Sequence, residues 1–438
     1  MTGSRRRPAS ASAPACLLAG LVSVLGASLA RAQCGGFCIY EVATPQMGES
    51  YAGAGATADD AATAYLNPAG MTRLDGVHYL AGVVTSQVIS RFDLRRPGTT
   101  DQGNDGGTLG GVFPFGGVYL TAQPAAAFRA PEHLRVGLAF NNIYGGDLSY
   151  DTAWAGRTYI TRTRFFGLNV EPSLAYELTP WLSLGAGANV LYYRLNYDFR
   201  SSVRRLPSGP YVPTVKIHGA DDWSASFTLG LLLTPGDTTR IGFVYRHRFD
   251  VALRGFATVF DSPFESDFEL PKGVNVSVAH DLGPRWTVLA DVGWSDWSSF
   301  SDQTTTYERI TNNVGQIRLA GFRDWHDTWR MAVGVRHWFT PRVRGRGGLS
   351  FDSSPIPAAN RLPDIPAGTT WRGSLGLDWR AWATANAAVT VGLAYTLLWI
   401  GGAEVDRVTT PGAFPVTLDG RYRPDFSNLF GLTLAASF

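Results

Sequence analysis

The chain has 438 residues, of which 45% are hydrophobic and 17% are charged, and it contains 50 glycines. Its 38 basic and 36 acidic residues nearly balance, so no overall charge points to nucleic acid or to an acidic partner. Three cysteines are too few for a disulfide scaffold, and the hydrophobic content excludes a disordered chain.

The first 32 residues have the pattern of a bacterial secretory signal peptide. Arg5, Arg6 and Arg7 precede an uncharged stretch with an apolar centre, and Ala30-Arg31-Ala32 offers a small-residue cleavage site. A membrane anchor is the rival interpretation, but the length and the flanks of the stretch favour a signal peptide. The rest of the chain has no apolar run of about 18 residues, which excludes a helical membrane protein.

Residues 33–75 show no alternation of polar and apolar residues and are rich in Gly, Ala, Ser and Asp. Asp59 or Asp60 could cap a short helix through Leu66, and Asn67-Pro68 would stop that helix. We call this segment the hatch, and we expect it to plug the lumen of a barrel formed by the residues that follow.

Beyond the hatch, the sequence alternates with a period of two. In residues 285–296, Trp, Val and Ala alternate with Arg, Thr, Asp and Gly, and residues 239–249, 328–339 and 426–438 repeat the pattern. A soluble sandwich also alternates in this way. The export signal and the aromatic residues at the ends of the apolar stretches favour a transmembrane β-barrel.

Connection lengths support the same interpretation, because short periplasmic turns and long extracellular loops alternate in outer-membrane barrels. This spacing gives fourteen strands, although the pattern alone also admits twelve or sixteen. Short turns at 178–180, 234–237, 282–284 and 340–341 alternate with long connections, which we place at 201–221, 255–267, 301–315, 354–367 and 403–424.

Residues 49–74, ESYAGAGATADDAATAYLNPAGMTRL, resemble the N-terminal hatch of the FadL/TodX outer-membrane transporters of long-chain fatty acids and aromatic hydrocarbons. Asn67, Pro68 and Ala69 match the N-P-A signature of that family. Less specific matches follow in order over essentially the whole mature chain. The resemblance implies an all-β fold, a 14-stranded antiparallel transmembrane β-barrel plugged by a small hatch with short helices. The expected division is a signal peptide at 1–32, the hatch at 33–75 and the barrel at 76–438.

The resemblance also implies passive transport of hydrophobic small molecules in the bacterial outer membrane, with no enzymatic activity and with neither cofactor nor metal. Loops capture the ligand, a pocket between hatch and wall binds it, and it leaves sideways where the third strand kinks. Tyr144, Gly145 and Gly146 stand at the matching position of the third strand. Adjacent glycines permit a bend, although an ordinary turn at a strand end would look the same.

Candidate ligand-binding residues lie at the start of the hatch and in one loop. Phe37 and Tyr40 offer apolar side chains, and Arg157 matches a W-x-G-R pattern of relatives and could bind a carboxylate bidentately. A hydrocarbon ligand would need no arginine. Other arginines are expected to face inward, and each could instead pair with an acid or the hatch: Arg246, Arg248, Arg330, Arg336, Arg372 and Arg380.

Two other functions stay open at this stage. An outer-membrane enzyme of the lipase or esterase type would need a catalytic set, and His218 with Asp221 and Ser201 is the one loop cluster that qualifies. A structural barrel without transport is the other alternative. We expect a monomer that contacts a hydrophobic ligand, outer-membrane lipid and lipopolysaccharide, and no nucleic acid. The sequence leaves open the ligand's identity and whether Cys34 and Cys38 form a disulfide.

Overall fold

A computed structural model describes most of the chain from Ile39 to Phe438. The signal peptide, Phe37, both mature cysteines and Ser201 lie outside the described residues, so the predictions made for them stay predictions. The described ranges are 39–95, 108–124, 131–151, 154–157, 159–199, 215–258, 262–307, 317–363, 365, 368–409 and 417–438.

Strands dominate the described residues. They are β1 (Val77–Leu94), β2 (Thr108–Ala122), β3 (Leu134–Ser149), β4 (Arg162–Thr179), β5 (Leu182–Phe199), β6 (Val215–Gly236), β7 (Thr239–Arg246), β8 (Phe249–Ala257), β9 (Ser262–Leu270), β10 (Gly273–Leu282), β11 (Trp286–Ser295), β12 (Asp302–Tyr307), β13 (Ile317–Phe322), β14 (Thr328–Thr340), β15 (Val343–Asp352), β16 (Thr370–Ala383), β17 (Ala388–Ile400), β18 (Ala403–Thr409), β19 (Thr417–Tyr422) and β20 (Asp425–Ser437).

Fourteen of these strands close an antiparallel barrel, which confirms the predicted fold. The wall runs from β1 through β7, continues with β10, β11, β14, β15, β16 and β17, and ends with β20. The barrel closes because β20 pairs with β1, for example at Leu80↔Ala435. This pairing joins the first and last strands, so neither β1 nor β20 is left as a free sheet edge within a membrane.

The alternation of the sequence becomes the two faces of this wall. On β20, Phe426, Phe430, Leu432 and Leu434 are exposed on the outer face, whereas Ser427 is buried on the inner face. An apolar outer band and a polar interior are what a lipid-facing barrel requires.

Three predicted long connections, 255–267, 301–315 and 403–424, overlap strands that extend the wall outward. β8 and β9 pair with each other, β12 joins them, and β18–β19 pairs with the end of β1. The ladder between β7 and β10 ends at Arg246↔Gly273, and pairing resumes between β8 and β9 at Phe249↔Leu270. The wall is interrupted between these two pairs. Pro271 lies in this interruption, and its missing N–H removes one donor from the ladder.

The described part of the hatch, residues 39–75, packs inside the barrel as four short helical turns. These turns are Pro45–Glu49, Ala54–Thr57, Thr63–Leu66 and Pro68–Arg73. Asp60 accepts a hydrogen bond from the N–H of Ala62, just before the third turn, at 2.9 Å. Within the described ranges, we find no helix with both the length and the hydropathy needed to cross a membrane.

Asn67 fixes the middle of the hatch. Its side chain accepts a hydrogen bond from the N–H of Ala69 at 3.1 Å and donates to the carbonyls of Gly55 at 2.7 Å and Leu231 at 3.1 Å. Its extended backbone (φ −159°) suits a residue before proline, and Pro68 then opens the next turn. The N-P-A residues therefore join two hatch turns to the wall.

The wall receives this turn in a socket of glycines. A Cβ added to Gly185, Gly230 or Gly242 would collide with backbone or amide atoms of Gly55, Asn67 or Ala69. These three glycines lie on adjacent strands, β5 to β7. They let the hatch backbone approach the wall more closely than any larger residue would allow.

Candidate functional site

A cavity of about 120 Å³ lies between the hatch and the barrel wall. Its lining is mostly apolar or aromatic, with a few polar groups at one side, as in typical sites for small hydrophobic ligands. The hatch contributes Ile39, Tyr40, Val42, Tyr51, Ala54, Gly55, Tyr65 and Leu66, and the wall contributes Ile143, Tyr144, Arg246, His247, Phe249, Pro271, Gly273, Asn275, Asp291 and Ser295.

The volume of this cavity limits what fits without movement. A cavity of about 150 Å³ holds benzene, whereas sites for larger ligands span about 300–1,000 Å³. A long acyl chain would therefore require the hatch or the surrounding side chains to shift.

Two of the residues predicted from sequence meet in this cavity. Tyr40 comes from the hatch and Tyr144 from β3, and both line it. The Tyr40 ring packs edge-on against Tyr51 at 5.6 Å, and the guanidinium of Arg330 lies 3.9 Å from its centre. Burial raises the pKa of the Tyr40 hydroxyl to about 12, so Tyr40 is neutral at physiological pH.

Arg246 stands at the polar side of the cavity. Its Nη2 donates to the carbonyl of Tyr65 at 2.5 Å and to that of Leu66 at 3.4 Å, and its guanidinium lies 4.6 Å from the Tyr65 ring centre. These carbonyls belong to the end of a helical turn, where they lack partners within the helix. Arg246 thus caps the hatch and faces the cavity at once.

Three of the other five arginines predicted to face inward hold the hatch, two of them through its carboxylates. Arg336 binds Glu49 and Asp59, Arg372 binds Glu41 and Asp352, and Arg330 donates to the carbonyl of Ser50. Arg248 pairs with Asp250 and Glu269, and Arg380 lies over the Trp338 ring at 5.3 Å.

The wall beside the cavity has a gap between β2 and β3. Their ladder runs from Ala122↔Val136 to Gly117↔Asn141 and stops there. Beyond that point, β2 pairs with β1 and β3 pairs with β4. The outer halves of β2 and β3 therefore border an opening in the barrel wall.

A bulge in β3 accounts for the gap. The register against β4 shifts between Asn142 and Tyr144, so Ile143 is an extra residue that bends the strand. The carbonyl of Ile143 accepts a hydrogen bond from the N–H of Ile39 in the hatch, at 2.9 Å. Asn142 Oδ1 accepts one from the N–H of Gly116 at 3.2 Å, at the last contact before the opening.

Gly145 and Gly146, predicted at the kink, lie just after the bulge and pair regularly with Phe166 and Phe165 of β4. A Cβ at Gly146 would come within 2.5 Å of the buried Phe165 ring. Gly146 thus makes room for an inward aromatic ring, while Ile143 provides the extra residue.

Comparison with known proteins assigns the chain to a protein family. Residues 24–438 match the family described as "Outer membrane protein transport protein (OMPP1/FadL/TodX)". The chain belongs to this family. It is therefore an outer-membrane protein of a transport family, as the resemblance implied.

Individual members of the family are distant in sequence. The long-chain fatty acid transport protein of Escherichia coli (strain K12) is 23% identical over 406 residues, covering 82% of this chain and 87% of that protein. A crystal structure of a Pseudomonas aeruginosa FadL homologue has a TM-score of 0.80 at 20% identity, covering 92% of this chain and 100% of that chain. The Ralstonia pickettii toluene transporter TbuX has a TM-score of 0.62 at 15% identity, covering 86% and 94%. The structural likenesses establish the shared fold.

Arg157 is not among the residues that line the cavity. It lies in the connection between β3 and β4, where its Nη1 donates to the carbonyl of Trp154 at 3.2 Å. Trp154 stacks on Tyr150 at 4.1 Å within a second apolar cluster, which the outer hairpin β18–β19 also joins. The structure therefore brings Tyr40 and Tyr144 together and leaves Arg157 outside the cavity.

Of the cluster considered for an enzyme, Ser201 lies outside the described residues, so that alternative stays a prediction. His218 is exposed and packs on Phe256, while Asp221 accepts a hydrogen bond from Tyr192 at 2.9 Å. Among the described residues, no group of three or more His, Cys, Asp or Glu side chains is placed to hold a metal ion.

Proposed function

We propose that this protein transports hydrophobic small molecules, such as long-chain fatty acids or aromatic hydrocarbons, passively across the outer membrane. Its relatives support both ligand classes, since one is named a long-chain fatty acid transport protein and another a toluene transporter. An apolar molecule partitions readily into a bilayer core but crosses a polar surface layer poorly, so a protected apolar path serves the transfer.

The observation that carries the proposal is a shared boundary. Ile143 and Tyr144 line the cavity, and Ile143 is also the bulge residue at the wall gap. Ile39 of the hatch lines the same cavity and is hydrogen-bonded to Ile143. A shift of the hatch start would therefore connect the cavity to the gap directly.

In the proposed route, outer apolar side chains first collect the ligand, which then enters the cavity against Tyr40. Phe37, just before the described residues, would extend this contact. Arg157 would meet the ligand earlier, in the outer connection. The ligand leaves sideways past Tyr144, Gly145 and Gly146 into the membrane.

The remaining parts of the proposal concern the chain as a whole. Residues 1–32 are removed on export, residues 33–75 form the hatch, and residues 76–438 form the barrel. The mature chain works as a monomer without catalysis, surrounded by outer-membrane lipid and lipopolysaccharide. Asn67, Pro68 and Ala69 hold the hatch while its start moves.

Deletion of Ile143 tests the lateral route, because it removes the extra residue and lets β3 continue its ladder with β2. Uptake of labelled oleate and labelled toluene is measured in cells that lack their own hydrophobic-compound channel. We expect the unmodified protein to take up one or both compounds and the deletion variant to take up neither.

Ile143→Leu is the matched control, because it keeps the residue count, the bulge and an apolar side chain of similar size at the cavity, and its uptake should stay near that of the unmodified protein. Heat-modifiable migration on gels verifies that each barrel is folded. Full uptake by a folded deletion variant would contradict lateral release. Absence of uptake by the unmodified, folded protein would contradict transport of these ligand classes.

A further inference from the structure

Arg246 differs in its partners from the inward arginines on β14 to β16 that hold the hatch. Arg330, Arg336, Arg346 and Arg372 each lie within 4 Å of at least one carboxylate. Arg246 has no such ion pair with any residue in the described ranges, although it is the arginine that lines the cavity. The buried Glu171 interacts with it electrostatically, but without an ion pair within 4 Å.

One donor of Arg246 is also unused. Its Nε is buried and donates to no acceptor in the described part of the chain, while its Nη2 holds the hatch carbonyls of Tyr65 and Leu66. An N–H buried without an acceptor costs free energy, so this atom favours an additional partner.

Two other arginines of this chain show what the guanidinium edge formed by Nε and Nη2 binds. Arg162 uses Nε and Nη2 together to hold both oxygens of Asp147, at 3.0 Å and 2.8 Å. Arg336 uses the same two atoms on Glu49. In Arg246, Nη2 of this edge donates to neutral carbonyls, and Nε has no acceptor among the described residues.

Building on the proposed function, we propose that Arg246 determines the head-group specificity of the cavity. It binds the carboxylate of an amphipathic ligand through Nε and Nη2. Because Nη2 now holds Tyr65 and Leu66, the ligand displaces these carbonyls and frees the third helical turn of the hatch. Head-group binding and hatch loosening are then the same event.

Two physical arguments support the exchange. A carboxylate carries a full negative charge and accepts from Nε and Nη2 at once, whereas each carbonyl offers only a dipole to Nη2, so a carboxylate outcompetes the two carbonyls. The cavity of about 120 Å³ is too small for a long chain, so any long-chain ligand requires the hatch or the surrounding side chains to move. Only a carboxylate adds the exchange at Arg246, because an alcohol or a hydrocarbon of equal length supplies no charge and leaves the Arg246 contacts in place.

The test compares two ligands that differ only in the head group, oleate and oleyl alcohol. Binding of each labelled ligand is measured on the full protein in lipid nanodiscs, with empty nanodiscs subtracted. We expect Arg246→Gln to weaken oleate binding about 10- to 100-fold and to change oleyl alcohol binding far less. Arg246→Lys, which keeps the charge without the bidentate edge, should recover part of the oleate affinity.

Arg248→Gln is the matched control. Arg248 lies two residues away, pairs with Asp250 and Glu269, and does not line the cavity. It should leave the binding of both ligands unchanged. Equal losses for oleate and oleyl alcohol in a folded Arg246→Gln protein would overturn the assignment of Arg246. Binding of neither ligand by the unmodified protein would instead count against the proposed function.

Hydrogen–deuterium exchange of the hatch gives a second, independent readout. Oleate should speed exchange of the amides in 63–67 in the unmodified protein, and oleyl alcohol should not. In Arg246→Gln these amides should exchange faster before any ligand is added. Slower exchange on oleate binding would overturn the displacement step, because it would mean that the ligand tightens the hatch.

Discussion

The hatch packs against two parts of the barrel wall that differ in chemistry. Strands β14 to β16, which we call the charged wall, meet it with buried charges: Arg336 and Arg346 hold Glu49, and Arg372 holds Glu41. Strands β5 to β7, which we call the glycine wall, meet it with glycines, backbone carbonyls and Arg246, and none of these contacts is an ion pair within the described residues. The cavity lies toward the second wall, bordered by β3 and β7.

This difference in chemistry separates contacts that anchor the hatch from contacts that a ligand could replace. Breaking a buried ion pair leaves an uncompensated charge, which costs far more than breaking a neutral hydrogen bond. We therefore expect the charged wall to keep the hatch in the lumen. The contacts at Ile143 and Arg246 have neutral carbonyls as acceptors, and we expect these to be the ones that a ligand exchanges.

The largest expected effect comes from breaking the charged wall. Arg372→Met leaves the buried Glu41 without its ion-pair partner and Asp352 with only the longer contact to Arg330. We expect the free energy of unfolding to fall by about 3–5 kcal/mol. Guanidinium unfolding in lipid vesicles, followed by tryptophan fluorescence, measures this change.

Two variants control for that measurement. Combining Arg372→Met with Glu41→Gln removes the stranded charge, so it should restore part of the loss. Arg254→Gln breaks an exposed pair with Glu265, where the arginine side chain is 75% exposed, and should cost at most about 1 kcal/mol. Similar losses for Arg254→Gln and Arg372→Met would show that the buried pairs do not anchor the hatch.

A smaller effect is expected from the glycine wall. Gly242→Val places a side chain where the carbonyl of Gly55 and the amide of Asn67 now lie, which should cost about 1–3 kcal/mol. A displaced hatch would also unplug the lumen, so planar-bilayer conductance should rise. Gly236→Ala is the control, since a Cβ there meets no atom within 4 Å. Unchanged conductance in a folded Gly242→Val barrel would argue against the socket.

The smallest effect concerns pH and the hatch residue Asp59. Burial opposes its charge, but Arg336, Arg344 and Arg346 outweigh burial and hold the pKa of Asp59 well below its usual range. Since the folded pKa is lowered, the stability from these ion pairs is complete above the ordinary pKa of about 4 and is lost as pH falls through the lowered value.

The difference in free energy of unfolding between the unmodified protein and Asp59→Asn measures this contribution. It should stay constant between about pH 5 and 8 and shrink only in stronger acid. A difference that already shrinks near pH 6 would mean that Asp59 is not held by the three arginines. Such a result would make the charged wall sensitive to ordinary changes of pH.

The barrel itself could be predicted from the sequence, because a membrane wall imposes its period of two on every strand. Alternation together with the family resemblance was enough to predict fourteen strands, and alternation placed Arg246, Arg330, Arg336 and Arg372 on the inner face, where each contacts the hatch. The signal for the lateral gap was less exact. Gly145-Gly146 is the visible local feature, whereas the extra residue is Ile143, which resembles any strand residue because bulges depend on pairing with both neighbours.

Which arginine faces the cavity was decided by the tertiary structure. Arg246, Arg330 and Arg372 all follow the same inward pattern, and their partners lie far away in the chain, as Glu41 lies 331 residues from Arg372. Only closure of the barrel around the hatch brings acids to some arginines and leaves Arg246 with neutral carbonyls. Alternation is a property of neighbouring residues, whereas charge compensation depends on the whole fold.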